Sequence, residues 1–148
     1  MTPLFAGWGL RATASQSSFA DCWAQACEQL APGDWTFALL DSKRQTPAWA
    51  AFHAWAAAAV PQAALQAWPE SAIAQIATPS VSPRLMDRFA TGSVSEALAL
   101  HAARSHADAG TPAPQIALVL RRVVSADRQA TLAVAARPSQ ILETGVPS

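Results

Sequence analysis

Two short apolar runs, each ended by a polar cluster and followed by a helical pattern, constrain the fold of this chain most strongly. The first run begins at residue 4 and ends in the glycine-rich turn 7–11, and the second covers residues 35–40 and ends in the triplet 41–43. Short continuous apolar runs are typical of strands in sheets that helices cover on both faces. If both runs are parallel strands, their polar clusters lie at one edge of the sheet, where open α/β sheets bind ligands.

Helical spacing and turn residues extend this pattern through the first half of the chain. A helix is predicted to begin near Thr13, because residues 13–16 fit a capping box, and its apolar residues follow at three- and four-residue spacing to Leu30. A second helix is predicted from Thr46 and Pro47 to about Val60. The next predicted elements are a strand over 62–66 and a short helix over 69–76.

The second half continues with helices and ends in a hairpin. One helix is predicted over 82–90, with Gly92 as its left-handed cap, and the pair Ser93 and Glu96 forms a second capping box that opens the next helix. Residues 116–124 and 130–136 are predicted to be two strands joined by a polar turn.

These elements predict a single three-layer α/β/α domain. Its sheet is mixed and mainly parallel, has about five strands and includes the C-terminal β-hairpin. We assign the domain to residues 1–137, with a small-residue linker at 107–114 and a flexible tail at 138–148. A chain of 148 residues with 51% hydrophobic and 14% charged residues is expected to be one globular domain.

Composition also excludes several classes of function. The net charge of zero argues against a nucleic-acid partner. We find neither a secretory signal nor an apolar run long enough to span a membrane, and we therefore expect a cytoplasmic protein with no membrane partner. Cys22 and Cys27 do not combine with the histidines in a metal-binding spacing, so we predict no metal and read both thiols as buried structural residues.

The only lysine, Lys43, is the first candidate for chemistry. Together with Arg11 it would place two cations at one sheet edge, which suits a ligand that carries carboxylates. Asp41 could orient Lys43 or act as an acid or base. The alternatives are that Lys43 and Arg11 are ordinary surface residues and that Asp41 caps a turn.

Two further groups of residues have both a functional and a structural interpretation. Gly7 and Gly9 could bring backbone amides close to an anion while Trp8 covers a flat ligand, or they could simply form a tight turn. Ser93 could present a helix start to an anion and Glu96 could contact a substrate hydroxyl. The structural alternative for this pair is a capping box that needs no ligand.

Taken together and in order, these motifs resemble the cobalamin-biosynthesis family that comprises CobE and the C-terminal domain of CbiG. That family has a G-x-G-C-R-[RK]-x-T turn, an Asp-x-Lys triplet, a G-x-x-S-V-x-E-A-A-A-L helix start and a closing strand pair. The counterparts here are residues 7–14, 41–43, 91–100 and the pair 118–121 and 131–135. The chain departs from the family at Leu10, where a cysteine is usual, at Ala12, where a basic residue is usual, and at Arg121, where a lysine is usual.

The resemblance implies a role in building the corrin ring of vitamin B12. CbiG-type proteins open the ring-A lactone of cobalt-precorrin-5A and release a two-carbon aldehyde, and this chain matches only their C-terminal part. The implied partners are a precorrin or corrinoid tetrapyrrole and other enzymes of the corrin pathway, and no cofactor is implied. The ligand-binding residues carried over are Gly7, Trp8, Gly9, Arg11, Thr13, Ser42, Lys43, Gly92, Ser93, Ser95 and Arg121.

Three functional hypotheses follow from the sequence. The first is a carrier or accessory protein that binds a precorrin without chemistry. The second is a hydrolase of the ring-A lactone, with Lys43, Glu96 and Asp41 as its catalytic residues and the amides of residues 7–9 as an oxyanion site. The third, which does not depend on the family, is a generic α/β protein that binds a small anionic ligand at the same edge.

Overall fold

The chain folds around a five-stranded mixed sheet. In the computed structural model, which describes residues 2–106 and 115–137, the strands occur in the order β3-β2-β1-β5-β4 across the sheet. Their bounds are Pro3–Leu10 for β1, Asp34–Leu40 for β2, Ala64–Trp68 for β3, Ala117–Val124 for β4 and Ala130–Ala136 for β5. The predicted α/β fold, with its mixed sheet and C-terminal hairpin, is confirmed.

Strand directions bring several chain segments to one edge of the sheet. β1, β2 and β3 run parallel, whereas β5 is antiparallel to both β1 and β4. The carboxyl ends of β1, β2 and β3 therefore lie at the same edge as the turn 125–129 between β4 and β5. We call this edge the carboxyl edge.

Within the described residues, four α-helices and two short 3₁₀ turns connect the strands. The helices are α1 (Gln16–Gln29), α2 (Pro47–Ala59), α3 (Pro83–Phe89) and α4 (Val94–Ser105), and the 3₁₀ turns are Asp41–Lys43 and Glu70–Ala72. α1 and α2 pack on one face of the sheet and α4 packs on the other, which gives the predicted three layers. No helix in the described part of the chain is long and apolar enough to cross a membrane.

The face under α1 and α2 is an aromatic core. Trp8 is 1% exposed, and its ring centroid lies 5.1–6.1 Å from those of Phe19, Phe37, Phe52 and Trp55. All four pairs meet edge to face, an arrangement that aromatic quadrupoles favour. This core fixes the end of β1 against both helices and thereby sets the position of the carboxyl edge.

On the opposite face of the sheet, the packing of α4 against β1 requires a glycine, Gly7. A side chain added at Gly7 would place its Cβ 2.0 Å from the Ser95 carbonyl oxygen and 2.6 Å from the Ala99 nitrogen. Gly7 is therefore required for the close approach of α4 to β1. Helix packing therefore accounts for this glycine, and Gly7 does not line the cavity described below.

Several element boundaries differ from the sequence predictions. α1 begins at Gln16, one turn later than the predicted start near Thr13, because Ser15 is the N-cap and its backbone N–H donates to the Ser18 hydroxyl (3.1 Å). The predicted strand 62–66 lies two residues later, and a single 3₁₀ turn replaces the helix predicted over 69–76.

The left-handed residue after α3 is Ala90, with φ 57°, and not Gly92. Gly92 is instead needed for packing, because a Cβ there would lie 2.6 Å from the Ser80 carbonyl oxygen. Cys22 is buried as predicted, but Cys27 is exposed. The linker 107–114 and the tail 138–148 lie outside the described residues.

Candidate functional site

The carboxyl edge holds a cavity of about 340 Å³ on the side of α3 and α4. The ends of β1, β2 and β4, the start of β5, α3 and the first residue of α4 all contribute to its wall. The lining residues are Trp8, Gly9, Leu10, Arg11, Leu40, Lys43, Ser82, Arg84, Leu85, Phe89, Val94, Arg122, Val124, Arg128, Gln129, Ala130 and Thr131. This is the edge at which the sequence predicts a ligand site.

Among the described residues, every charged side chain that lines the cavity is positive. Five of the ten basic residues of the chain line it (Arg11, Lys43, Arg84, Arg122 and Arg128), whereas no acidic residue of 2–106 or 115–137 does. Within residues 2–106 and 115–137 none of these five cations takes part in a salt bridge. In a chain of zero net charge, such a concentration of unpaired cations around one cavity indicates a binding site for an anion.

A second cavity, of about 240 Å³, lies at the opposite edge of the sheet. Its lining includes Asp34, His106 and Arg137, so it mixes charges of both signs. Because of these mixed charges it should attract an anion less strongly than the first cavity does. It also lies at the edge of the sheet opposite the motifs that end β1 and β2.

Lys43 enters the cavity from the 3₁₀ turn that follows β2. Thr46 holds this turn, since its hydroxyl and its backbone N–H both donate to the Lys43 carbonyl oxygen (2.7 and 3.0 Å). Burial, reinforced by the nearby guanidinium groups of Arg88 and Arg11 and opposed by Glu70, lowers the pKa of Lys43 below its ordinary value of 10.5. A bound carboxylate would favour the charged form and so oppose this lowering of the pKa of Lys43.

Asp41 does not accompany Lys43 into the cavity. Its side chain is half-buried and is absent from the lining. Among the described residues no salt bridge joins its carboxylate to Lys43, and its backbone carbonyl oxygen accepts from the Arg44 N–H (3.1 Å). The structural interpretation of Asp41, as a residue of the turn after a strand, fits this geometry.

The hairpin turn 125–129 supplies a second cation, Arg128. The Asp127 carboxylate accepts hydrogen bonds from the hydroxyls of Ser18 and Ser125, both at 2.6 Å. Hydrogen bonds from Ser125, Ser18 and the Gln129 backbone hold the pKa of Asp127 below its ordinary range. Arg128 itself has φ 60°, a left-handed conformation that costs a non-glycine residue about 1 kcal/mol.

The end of β1 is tied to the same turn. The Arg11 backbone N–H donates to the Gln129 carbonyl oxygen (2.8 Å), and the Thr13 hydroxyl donates to Gln129 Oε1 (2.6 Å). The backbone hydrogen bond to Gln129 therefore holds Arg11 close to Arg128, the preceding residue of the turn. Thr13, predicted as a ligand-binding residue, does not line the cavity and acts on this turn instead.

Arg122 reaches the cavity because β4 is irregular. The pairing of β4 with β5 shifts register between Leu118 and Leu120 and again between Leu120 and Val123. Bulges of this kind change which face of the strand a side chain occupies. Arg122 is half-buried in the cavity wall, whereas Arg121, the predicted residue, is exposed and does not line the cavity.

α3 forms one wall of the cavity. Arg84, Leu85 and Phe89 line the cavity from this helix, none of whose residues is fully buried. A two-pronged ion pair anchors it: Arg88 Nη1 and Nη2 lie 2.9 and 3.2 Å from the Glu70 carboxylate oxygens. Hydrogen bonds from Arg88 and Ser42 lower the pKa of Glu70 despite its partial burial.

The start of α4 is buried behind this wall. Gly92, Ser93, Ser95 and Glu96 are all buried and do not line the cavity, although their neighbour Val94 does. The Ser93 hydroxyl accepts from the Glu96 N–H (3.4 Å), so the predicted cap forms. The Glu96 carboxylate does not return to that cap, and instead accepts hydrogen bonds from Ser80 and Arg122.

Four of the predicted ligand-binding residues line the cavity: Trp8, Gly9, Arg11 and Lys43. Ser42 is exposed beside it and does not line it. The indole of Trp8 packs in the aromatic core and is 1% exposed, so it has no free face with which to cover a flat ligand. An added Cβ at Gly9 would lie 2.3 Å from the Thr131 hydroxyl oxygen, which explains this glycine by strand packing.

Sequence reasoning missed three cations of the cavity: Arg84, Arg122 and Arg128. The position of Arg84 could have been predicted, because this residue stands in the first turn of a helix predicted from residue 82. The positions of Arg122 and Arg128 could not, because they depend on bulges in β4 and on a left-handed turn residue.

The arrangement can bind an anionic ligand that also has an apolar surface. Leu10, Leu40, Leu85, Phe89 and Val94 lie among the five cations in the cavity wall. The described residues include no group of three or more histidine, cysteine or carboxylate side chains that could hold a metal ion.

Comparisons with known proteins agree with this fold. The model of a family described as "Cobalamin synthesis G C-terminus" matches residues 4–135. A solved structure of CobE, described as a protein from the cobalamin (vitamin B12) biosynthetic pathway, is similar with a TM-score of 0.70 and 18% identity over 91% of this chain and 90% of that one. The cobalamin biosynthesis protein chiG from Agrobacterium tumefaciens strain C58 is similar with a TM-score of 0.57 and 23% identity over 90% and 97%. No curated protein sequence matches the chain.

Proposed function

The chain belongs to the family of the cobalamin synthesis G C-terminus, and we propose that it binds a carboxylate-bearing precorrin or corrinoid intermediate in the cavity at its carboxyl edge. The observation that carries this proposal is a partly apolar cavity lined by five cations, none of which forms a salt bridge with another described residue. Membership places the chain among proteins of cobalamin biosynthesis. What we propose is the ligand that this chain binds and its role as a carrier or accessory protein.

The chemistry of the ligand fits the cavity in two ways. A precorrin is a flat macrocycle that carries acetate and propionate arms, and carboxylates form their strongest hydrogen bonds with arginine and lysine. The apolar side chains between the cations would contact the edge of the ring. At about 340 Å³ the cavity is at the lower end of the range for small-molecule sites, so we expect it to hold one edge of the macrocycle and its arms.

Hydrolysis of a ring-A lactone is the alternative, and one observation favours it. Lys43 lines the cavity with a lowered pKa, as a lysine that exchanges a proton with substrate would. The other parts of that hypothesis find less support. Asp41 and Glu96 lie outside the cavity lining, and Gly7, in the proposed oxyanion segment, is paired within the sheet with both β2 and β5. Binding is the function that the geometry favours.

The proposal is tested by titrating the protein with hydrogenobyrinic acid, a stable corrinoid acid, and following tryptophan fluorescence and the visible spectrum of the ligand. We expect saturable binding that weakens with added salt, because salt screens exposed charges. R11A, K43A and R128A should each weaken it. R104A is the matched control, because Arg104 is exposed in the last turn of α4 and does not line the cavity.

The other two hypotheses have their own outcomes in the same experiment. A precorrin-5A-type ligand whose spectrum changes with time, with release of a two-carbon aldehyde, would make the protein a hydrolase. A generic anion site would bind simple carboxylates or phosphates as tightly as the corrinoid. If the corrinoid does not bind, or binds R11A, K43A and R128A as tightly as it binds the wild type, the proposed function is wrong.

A further inference from the structure

Two of the walls of the cavity come from distant parts of the chain. One wall is α3 with its N-cap Ser82, which follows the segment 78–81, and the other is the end of β4. Each wall carries a cation, Arg84 on α3 and Arg122 on β4. Because the two elements lie about 40 residues apart in sequence, something must hold these cations at a fixed separation.

Glu96 connects the two walls. Its Oε1 accepts from the Ser80 backbone N–H and its Oε2 accepts from the Ser80 hydroxyl, both at 2.9 Å. Oε2 also accepts from the Arg122 backbone N–H at 2.9 Å. Glu96 is fully buried, and a carboxylate takes only the acceptor role, so three donors from two separate elements converge on it.

The surrounding contacts show that this junction is tightly built. The Ser82 N–H donates to the Gly92 carbonyl oxygen (2.8 Å), and the Thr91 hydroxyl donates to the Ile76 carbonyl oxygen (2.7 Å). The segment 78–82 therefore lies directly on the start of α4. The irregular pairing of β4 is what makes the Arg122 amide available to a side-chain acceptor.

We propose that Glu96 is a positioning residue for the anion site: its carboxylate fixes Arg122 relative to α3, so that the two walls present their cations together. This inference rests on the proposed function. It assigns Glu96 a role that differs from both sequence interpretations, because the side chain neither closes the capping box nor reaches the cavity. If only some of these buried donors and acceptors kept their partners, the unpaired ones would cost stability, because they would be removed from water without a hydrogen bond in return.

The test is a double-mutant cycle on hydrogenobyrinic acid binding. E96Q keeps the size of the side chain but replaces one of the two acceptor oxygens with an NH₂ group, so the three donors no longer all have an acceptor. R122A removes the cation but keeps the backbone N–H that donates to Glu96. We expect each single variant to lose affinity about tenfold, and the double variant to lose little more than either, since Glu96 acts through Arg122. E96Q combined with R128A is the matched control and should lose about 100-fold, because Arg128 is held by a separate network.

Amide hydrogen exchange gives a second readout. In E96Q the amides of Ser80 and Arg122 should exchange faster, while those of β1 and β5 keep their protection. If E96Q does not fold, S80A removes a single donor and should still weaken binding about threefold. Additive losses in E96Q/R122A, or wild-type affinity in a folded E96Q or in S80A, would overturn the inference while leaving the proposed function intact. Failure of the wild type to bind would overturn both.

Discussion

Arg121 and Arg122 offer a matched pair of substitutions that tests the site directly. The side chain of Arg122 is half-buried in the cavity wall, whereas that of its neighbour Arg121 is exposed and outside the lining. A hydrogen bond to a charged partner contributes about 1.5–3 kcal/mol, and partial exposure of Arg122 reduces this to ~1.4 kcal/mol, which is about tenfold in affinity. Arg121 is screened by solvent and salt, so R121A should change affinity by less than about twofold.

The assay is a fluorescence titration of wild type, R121A and R122A with hydrogenobyrinic acid at one pH and ionic strength. Both variants should melt close to the wild-type temperature, because alanine at 122 keeps the backbone N–H that Glu96 accepts. The two substitutions remove the same charge from adjacent positions, so a general loss of positive charge would affect both equally. Equal losses, or a larger loss in R121A, would refute the placement of the anion in this cavity.

Three further predictions follow from the same geometry. Burial and the nearby Arg88 lower the pKa of Lys43, and a bound carboxylate would raise it, so ligand binding should be accompanied by proton uptake. The affinity should therefore fall as the pH rises through the pKa that Lys43 has in the free protein. Titrations at several pH values should show this slope in the wild type and not in K43A. Gly7→Ala should cost about 3 kcal/mol in urea unfolding, since its Cβ would overlap the backbone of α4, and a loss below about 0.5 kcal/mol would contradict that packing. Asp127→Ala should lower corrinoid affinity about threefold, because it frees the turn that holds Arg128, and unchanged affinity would show that the turn keeps its shape unaided.

Much of the fold could be predicted because local signals agree with the tertiary structure. The apolar run before Asp41 is β2, the Thr46–Pro47 start of α2 holds, and the strand predicted over 130–136 is β5. The start of α1 was misplaced because a tertiary contact decided between neighbouring cap candidates. Ser15 replaces Thr13 as a cap because the hydroxyl of Thr13 binds the hairpin turn.

The site was predicted less completely than the fold. Strand ends fix where Arg11 and Lys43 lie, and both line the cavity. The choice between Arg121 and Arg122 depends on bulges in β4, and alternation along a strand does not reveal a bulge. Glu96 shows a different limit, since a capping-box spacing gives no sign that the carboxylate will bind two distant segments instead.

A crystal structure of the protein with hydrogenobyrinic acid bound would test the central claim most directly. The account predicts carboxylate arms of the ligand within hydrogen-bond distance of Lys43 and Arg122, with the ring edge against the apolar side chains of the cavity. A ligand bound instead in the second cavity, beside Asp34 and Arg137 at the opposite edge of the sheet, would contradict it.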